Sequence, residues 1–341
     1  MSNNRKLSKQ QLWSKQNKAE RNRKRFKSYT KSLNTSIRRR APKRKRLRPS
    51  YNANTNAFSR QVVEIPAIFS VAKDLNKVLK VIYQIKKLAE NKRIKQFDFD
   101  MSGVTNIDDA AATILISLFH DIDRLAKKVR VRWPNDQLTS RSMQQMGFRK
   151  FFEGYSHNKE RLNETLKKGK STILQRETVP IIHKAMKTVF GEDKRNQALQ
   201  GMLIELMTNS VNHAYLDNNK EKSWYISTNH DIKNNTVEFC FVDNGDGIIQ
   251  TIFKRSLSNL FLSNEDVLVQ AFEGKFRSRT KLKNRGRGLV LIKNNQEKMT
   301  IRQLKVITNN VFLDFDTGTS VKLETPFQGT FYSWILDQTC K

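Results

Sequence analysis

Near residue 57 the chain changes character, and that change decides what can fold. Residues 1–56 run through "RNRKRFK" and "RRRAPKRKRLR", with few apolar residues beyond Leu7, Leu12, Trp13, Phe26, Leu33 and Ile37. A segment with so little to bury cannot offset its ordering entropy, so it reads as a disordered basic arm, with at most a transient helix between residues 7 and 33. Residues 1–50 hold 19 Lys/Arg and one acid, Glu20; they contribute +18 of the chain's formal +32 and leave +14 for the other 291 residues. Such an arm binds phosphate backbones through charge and counterion release, which makes nucleic acid or another polyanion the expected partner of residues 1–50. A solubilising tail or a nuclear-localisation signal is the plainer reading.

Beyond residue 57 enough chain remains for two domains with cores of their own. "RQVVEIPAIF" alternates as a strand, and "VAKDLNKVLKVIYQIKKLAE" carries a helical stripe through Leu75, Val78, Leu79, Ile82 and Ile85. The strand "QFDFDMSGV", the turn "NIDDAAAT", the apolar helix "ILISLFHDIDRLAKK" and the short strand "VRVRW" follow. This alternation predicts an α/β domain over residues 57–152. Residues 153–174, including "HNKERLNETLKKGK", read as a linker, and residues 175–341 as the second domain.

"FDFDMSGVTNIDDAAATILISLF" resembles a strand, turn and helix of the STAS fold, the domain of bacterial anti-anti-sigma factors. Signalling members carry a phosphorylated serine in that turn. The matching stretch here is Asp108-Asp109-Ala110-Ala111, without a hydroxyl, so the resemblance implies a docking domain that lacks the phospho-switch. Asp109 reads as an acid favoured by the helix N-terminus, with a permanent mimic of the phosphate charge as the rival reading.

The second domain opens with "QALQGMLIELMTNSVNHAYL". Leu199, Met202, Leu203 and Leu206 form a buried stripe, while Glu205, Asn209, Asn212 and His213 at i, i+4, i+7 and i+8 share another face. Solvated helix surface is the plain reading of that polar face. Downstream, "VEFCFVDNGDGI" is a strand running into Asp243-Asn244-Gly245-Asp246-Gly247. Glycines there permit positive φ and close approach of a flat ligand. "KFRSRTKLKNRGRGLVLIKNN" is a basic, Gly-containing loop feeding a helix N-terminus, which offers free amides to phosphate. "LKVITNN", "VFLDFD", "SVKLET" and "GTFYSWIL" read as four successive strands.

In this order the pieces resemble the GHKL ATP-binding fold shared by gyrase B, histidine kinases and anti-sigma serine kinases, and are closest to the last. Glu205 to His213 match its N box, Asp243 to Gly247 its first glycine box, Arg285 to Leu289 its second, and Gly329-Thr330 its Gly-Thr box, with Gly318-Thr319 as a rival. The resemblance implies an α+β architecture: a sandwich with a mixed, largely antiparallel sheet and helices on one face, preceded by the STAS-like domain and the arm. It implies ATP and Mg2+ as cofactors. Asn209 would coordinate Mg2+, Glu205 would act as base, Asp243 would read the adenine amine with hydroxyl support from Thr330, Gly245 and Gly247 would admit the base, and Arg285, Gly286, Arg287 and Gly288 would close on the triphosphate. Val290 departs from the pattern, standing where a small residue is common.

Function by this route is an ATPase whose nucleotide state controls conformation, dimerisation or partner choice. A serine/threonine kinase acting on a STAS-type partner and a non-catalytic nucleotide sensor are the alternatives. A histidine kinase is not the expectation, because His183 in "PIIHKAM" lacks a phosphoacceptor context; His120, His157 and His230 read as incidental. With only Cys240 and Cys340 there is no metal spacing or disulfide framework, and no apolar run is long enough for a membrane helix. A cytoplasmic protein with no membrane contact is the expectation.

Overall fold

The computed structural model describes residues 59–148, 166–170, 175–212, 214, 223–255, 262–276 and 288–340. The basic arm and its polyanion site, His213, Arg285, Gly286 and Arg287 lie outside the described residues.

The first module runs β1 (Ser59–Glu64), β2 (Ile68–Phe69), α1 (Val71–Ala89), β3 (Ile94–Asp100), β4 (Asn106–Ile107), α2 (Asp109–Arg124), β5 (Lys128–Arg132) and α3 (Gln137–Gln145). Strands β1, β3 and β5 form a parallel sheet in that order, and β2 pairs with β4. Alternation in β3 sorts its side chains. Phe97 and Phe99 are fully buried beside Phe119 of α2, while Asp98 and Asp100 take the other face. There Asp98 meets Arg60 and accepts from Gln96 Nε2 at 2.7 Å, and Asp100 accepts from Ser102. The stripe read on α1 is buried at Val78, Leu79, Ile82 and Ile85, and Ser70 caps that helix by accepting from Lys73 N.

The second module has β6 (Leu166–Lys170), α4 (Gln175–Phe190), α5 (Gln197–Asn212), β7 (Ser223–Asp231), β8 (Thr236–Asp243), α6 (Ile248–Arg255), α7 (Asn264–Phe272), α8 (Gly288–Glu297), β9 (Arg302–Asp314) and β10 (Thr319–Leu336). Its five strands lie in the order β6-β7-β8-β10-β9, all antiparallel. The fold is therefore α+β, parallel in the first module and antiparallel in the second. Strand β6 falls inside the stretch read as linker. The four strands read after residue 303 are two long ones, because no turn interrupts "VITNNVF". Asn309 instead takes φ +53 and the chain stays paired, while β10 absorbs an irregularity between Lys322 and Phe327 around Pro326, which has no amide to donate.

The second module's own α4 and α5 lie on one face of its five-stranded sheet, and helices of the first module take the other. Helices α4 and α5 cover the front, where Trp224, Ile226 and Phe241 line a small apolar cavity with Ile181, Leu203 and Met207. Helix α2 packs behind β7 and β8, and α1 behind β10. One contiguous core joins Val78, Ile82, Leu115 and Phe119 to Tyr225, Cys240, Val242, Ile307 and Phe331. A bare apolar back face would be costly in water, so the first module serves as the missing layer. Both modules, apart from residues 253–255, belong to one compact unit.

Candidate functional site

Strand β8 ends at Asp243, which is 4% exposed on the front of the sheet. Its Oδ1 accepts from Gly245 N at 2.9 Å, its Oδ2 lies 3.4 Å from Ser210 Oγ, and the Thr330 amide also donates to it. Burial outweighs these donors and pushes the carboxyl up to about 6. Thr330 faces Asp243 across the β8–β10 ladder. Its support comes through the amide and not the hydroxyl, which stands 3.4 Å from Thr308 Oγ1. Gly329 has φ +115, and a Cβ there would collide with the Asp243 carbonyl oxygen, so only glycine fits. Gly318 sits in the open β9–β10 turn, away from any such contact.

After Asp243 the chain is stitched to the C-terminal end of α5. A Cβ on Gly245 would strike the Ala214 carbonyl, whose oxygen accepts from Asp246 N at 2.6 Å, while Ala214 N donates to Asn209 O at 2.9 Å. Gly247 takes φ +85 against the Asn309 side chain. Asn309 Oδ1 accepts from Ile249 N at 3.0 Å, its Nδ2 donates to Asp246 O at 2.8 Å, and Thr308 Oγ1 accepts from Ile248 N at 3.0 Å. Thr308 and Asn309 thus cap α6 and shape the glycine turn. Sequence reading missed both, together with Ser210; the signal was a polar "TNN" inside an otherwise apolar strand.

Glu205 and Asn209 occupy successive turns of α5, and Gly288 opens α8 directly above them. A Cβ on Gly288 would run into the Glu205 carboxylate and lie 3.4 Å from Asn209 Nδ2. Glu205 has no hydrogen-bond or ion-pair partner among the described residues, and burial raises its pKa above the ordinary glutamate range. Asn209 Nδ2 is buried without a partner. Val290, the departure from the family pattern, fills space against Gly274, where a Cβ would sit 2.8 Å from Val290 Cγ2, and so ties α8 to the turn after α7.

Seven of the ten expected site residues are described, and they form two adjoining groups. Glu205, Asn209 and Gly288 make one; Asp243, Gly245, Gly247 and Thr330 make the other; Ser210 bridges them. These residues fit a magnesium nucleotide. A buried carboxylate can accept from an exocyclic amine, and an unsatisfied carboxamide can turn its oxygen to a hard cation, while Gly245 and Gly247 let the turn pack against Ala214 and Asn309. No cluster of three or more His, Cys, Asp or Glu able to hold a metal occurs among the described residues, so a cation here would depend on phosphate oxygens and water for most of its shell.

On the first module, Asp108 rather than Asp109 caps α2. It accepts from Ala111 N at 2.8 Å, from Ser70 Oγ at 2.6 Å and from Ala72 N at 3.0 Å, joining the starts of α1 and α2. Asp109 instead accepts from Asn229 Nδ2 of β7 at 2.6 Å. Burial, then the neighbouring Asp108, push its pKa up to about 6. Further along α2, Thr113 and Ser227 share a buried hydroxyl pair at 2.6 Å, and His120 stacks on Tyr225 at 5.3 Å. His120 therefore has a packing role, and α2 of the domain read as a docking domain packs within its own chain.

The family model of the STAS domain matches residues 65–168, from the end of β1 into β6. Comparison with curated proteins finds none that matches the chain. The chain thus contains a STAS domain, a fold that mediates protein–protein contacts and fits a regulatory, partner-binding role. No helix among the described residues is long and apolar enough to cross a membrane.

Proposed function

We propose that the second module binds a magnesium-complexed adenosine nucleotide where α5, β8 and α8 meet, and hydrolyses it. Convergence carries this reading: the unpartnered Asn209 carboxamide and the desolvated Glu205 lie under Gly288, one residue from a serine that touches buried Asp243. Asp243, held by Gly245 and Thr330, accepts from the adenine amine. Gly245 and Gly247 let the turn close against Ala214 and the Asn309 side chain, which fixes Asp243 at the strand end. Asn209 offers its amide oxygen to Mg2+, which when bound supplies charge neutralisation along the phosphates. Glu205 orients a water and takes its proton; its raised pKa brings it closer to the operating pH, which suits a general base. Arg285, Gly286 and Arg287 lead into Gly288 and would bring cationic and amide donors to the phosphates. The STAS domain makes the activity a regulatory one, and the +18 arm adds a site for a polyanion such as nucleic acid.

A kinase acting on another STAS protein is the second reading, favoured by the STAS domain in the same chain. Asp109 and Ala110 stand where the serines of the signalling members would be, so the acceptor would have to come from another molecule. Phosphate release from ATP by the full chain, measured beside transfer to a serine-bearing STAS protein, separates the two. Loss of both in Glu205→Ala with nucleotide binding retained supports the site, and undiminished turnover in that variant overturns it.

A further inference from the structure

Successive residues of the turn after β8 point to opposite sides of the sheet. Asp243 faces the nucleotide side, whereas Asn244, 8% exposed, faces α2 of the STAS domain. Asn244 Nδ2 donates to Ser117 O at 3.3 Å, Ser117 Oγ lies 3.5 Å from Asn244 Oδ1, and Asn244 also hydrogen-bonds Asp121. A second fastening lies on the neighbouring strand. Lys86 Nζ of α1 donates to Gln328 O at 3.0 Å and lies over the Phe327 ring at 5.6 Å. Gln328 immediately precedes Gly329-Thr330, the pair that bears on Asp243.

Each STAS helix therefore grips the chain one residue away from a group that shapes the adenine end of the site. Both grips are polar and directional, the Asn244 one buried and the Lys86 one exposed, and they reach backbone segments whose positions Asp243 and Gly329 cannot leave without losing their own contacts. Packed segments of this kind move together or not at all.

Resting on the nucleotide reading above, we propose that the STAS domain is an effector bound within its own chain: docking of α1 and α2 behind the sheet preorganises the Asp243–Gly247 turn, so that STAS docking and nucleotide binding strengthen each other. The device needs no phosphorylated serine, because the docked state is the binding-competent one. A partner that competes for α2 would lower nucleotide affinity, and nucleotide would resist that partner to the same degree, as linkage requires.

Titration of the full chain with Mg2+ and a non-hydrolysable ATP analogue tests this, using wild type, Asn244→Ala and Thr113→Val. Asn244→Ala removes the grip next to the site. Thr113→Val loosens α2 from the remote Ser227 contact with a side chain of the same shape, so it reads docking without touching the turn. Coupling predicts a dissociation constant raised about tenfold by Asn244→Ala and about threefold to fivefold by Thr113→Val, within the range of ordinary allosteric coupling. It also predicts slower amide hydrogen exchange across residues 110–124 of wild type when the analogue is saturating. Equal affinities in all three proteins, or α2 exchange indifferent to the analogue, overturn the coupling while leaving the site intact. No binding by wild type overturns the nucleotide reading and the coupling with it.

Discussion

On the front of β8, Phe239, Phe241 and Asp243 meet side chains from their own module; on the back, Cys240, Val242 and Asn244 meet helices that come more than a hundred residues earlier. On the front, Asp243 is satisfied locally, while Asn209 Nδ2 is left without a partner. Asp243 takes its donors from Gly245, Ser210 and Thr330, all around one sheet end. The back polar groups are satisfied across the chain, Asp109 by Asn229 and Thr113 by Ser227. On the proposed reading, one face takes a ligand that can come and go, while the other holds a neighbour that stays. The ionisable groups follow that division. Glu205 on the front is raised by burial alone, while on the back Glu238 is raised to about 7 by burial and then by the charges of Asp109 and Asp108.

The comparison can be broken most decisively on the front. Glu205→Ala should cut turnover by about 100-fold or more, the usual worth of a positioned base, while nucleotide affinity stays within a few-fold. Steady-state phosphate release and equilibrium binding on the same preparation check this. Turnover in wild type should also rise with pH through a value above the ordinary glutamate range, because the base must be ionised.

At the seam between the faces, Gly329→Ala should cost about 2–4 kcal/mol of stability. The residue needs φ +115, and its added carbon would meet the Asp243 carbonyl. Denaturant unfolding measures it; a loss below about 0.5 kcal/mol would mean that the turn has slack and that Asp243 is not held as described.

The back face should respond to pH. Glu238 binds its proton more tightly folded than unfolded, with its pKa raised from 4.5 to about 7. Stability is therefore lost as pH rises from about 4.5 through 7, and the full cost is present above that. Glu238→Gln removes the cost, so it should stabilise the protein by about 2 kcal/mol at pH 8 and hardly at all at pH 4. Thermal melts of both proteins across that range decide it. A gain independent of pH would assign the effect to packing.

Smallest of the four, Thr113→Val should cost about 1–2 kcal/mol, the penalty for taking from the buried Ser227 hydroxyl its Thr113 partner. The double change with Ser227→Ala should recover part of that loss, since both partners are then removed.

What the sequence shows of the two faces differs for the same physical reason. Glu205 and Asn209 are one helical turn apart, and Asp243, Gly245 and Gly247 lie within five residues, so local spacing groups each set, and the resemblance to the GHKL fold is what marks the two sets as a site. Ser210, Thr308 and Asn309 matter only because β10 threads between β8 and β9 and α5 ends beside the turn, and no local pattern says that. The back face left one trace. In "TVEFCFVD" the intervening positions Cys240 and Val242 are apolar too, the mark of a strand covered on both sides, yet nothing in the run names what covers it. Asp109 shows the same limit: its place at a helix start suggests a dipole role, but its partner is Asn229, across the module boundary.

The most direct measurement is calorimetric titration of the full chain with Mg·ATP, wild type beside Asp243→Asn. The account predicts one site per chain in wild type and an affinity at least about tenfold weaker in the variant, the worth of a hydrogen bond to a charged group. No heat of binding in wild type, or equal affinity in the variant, would contradict it.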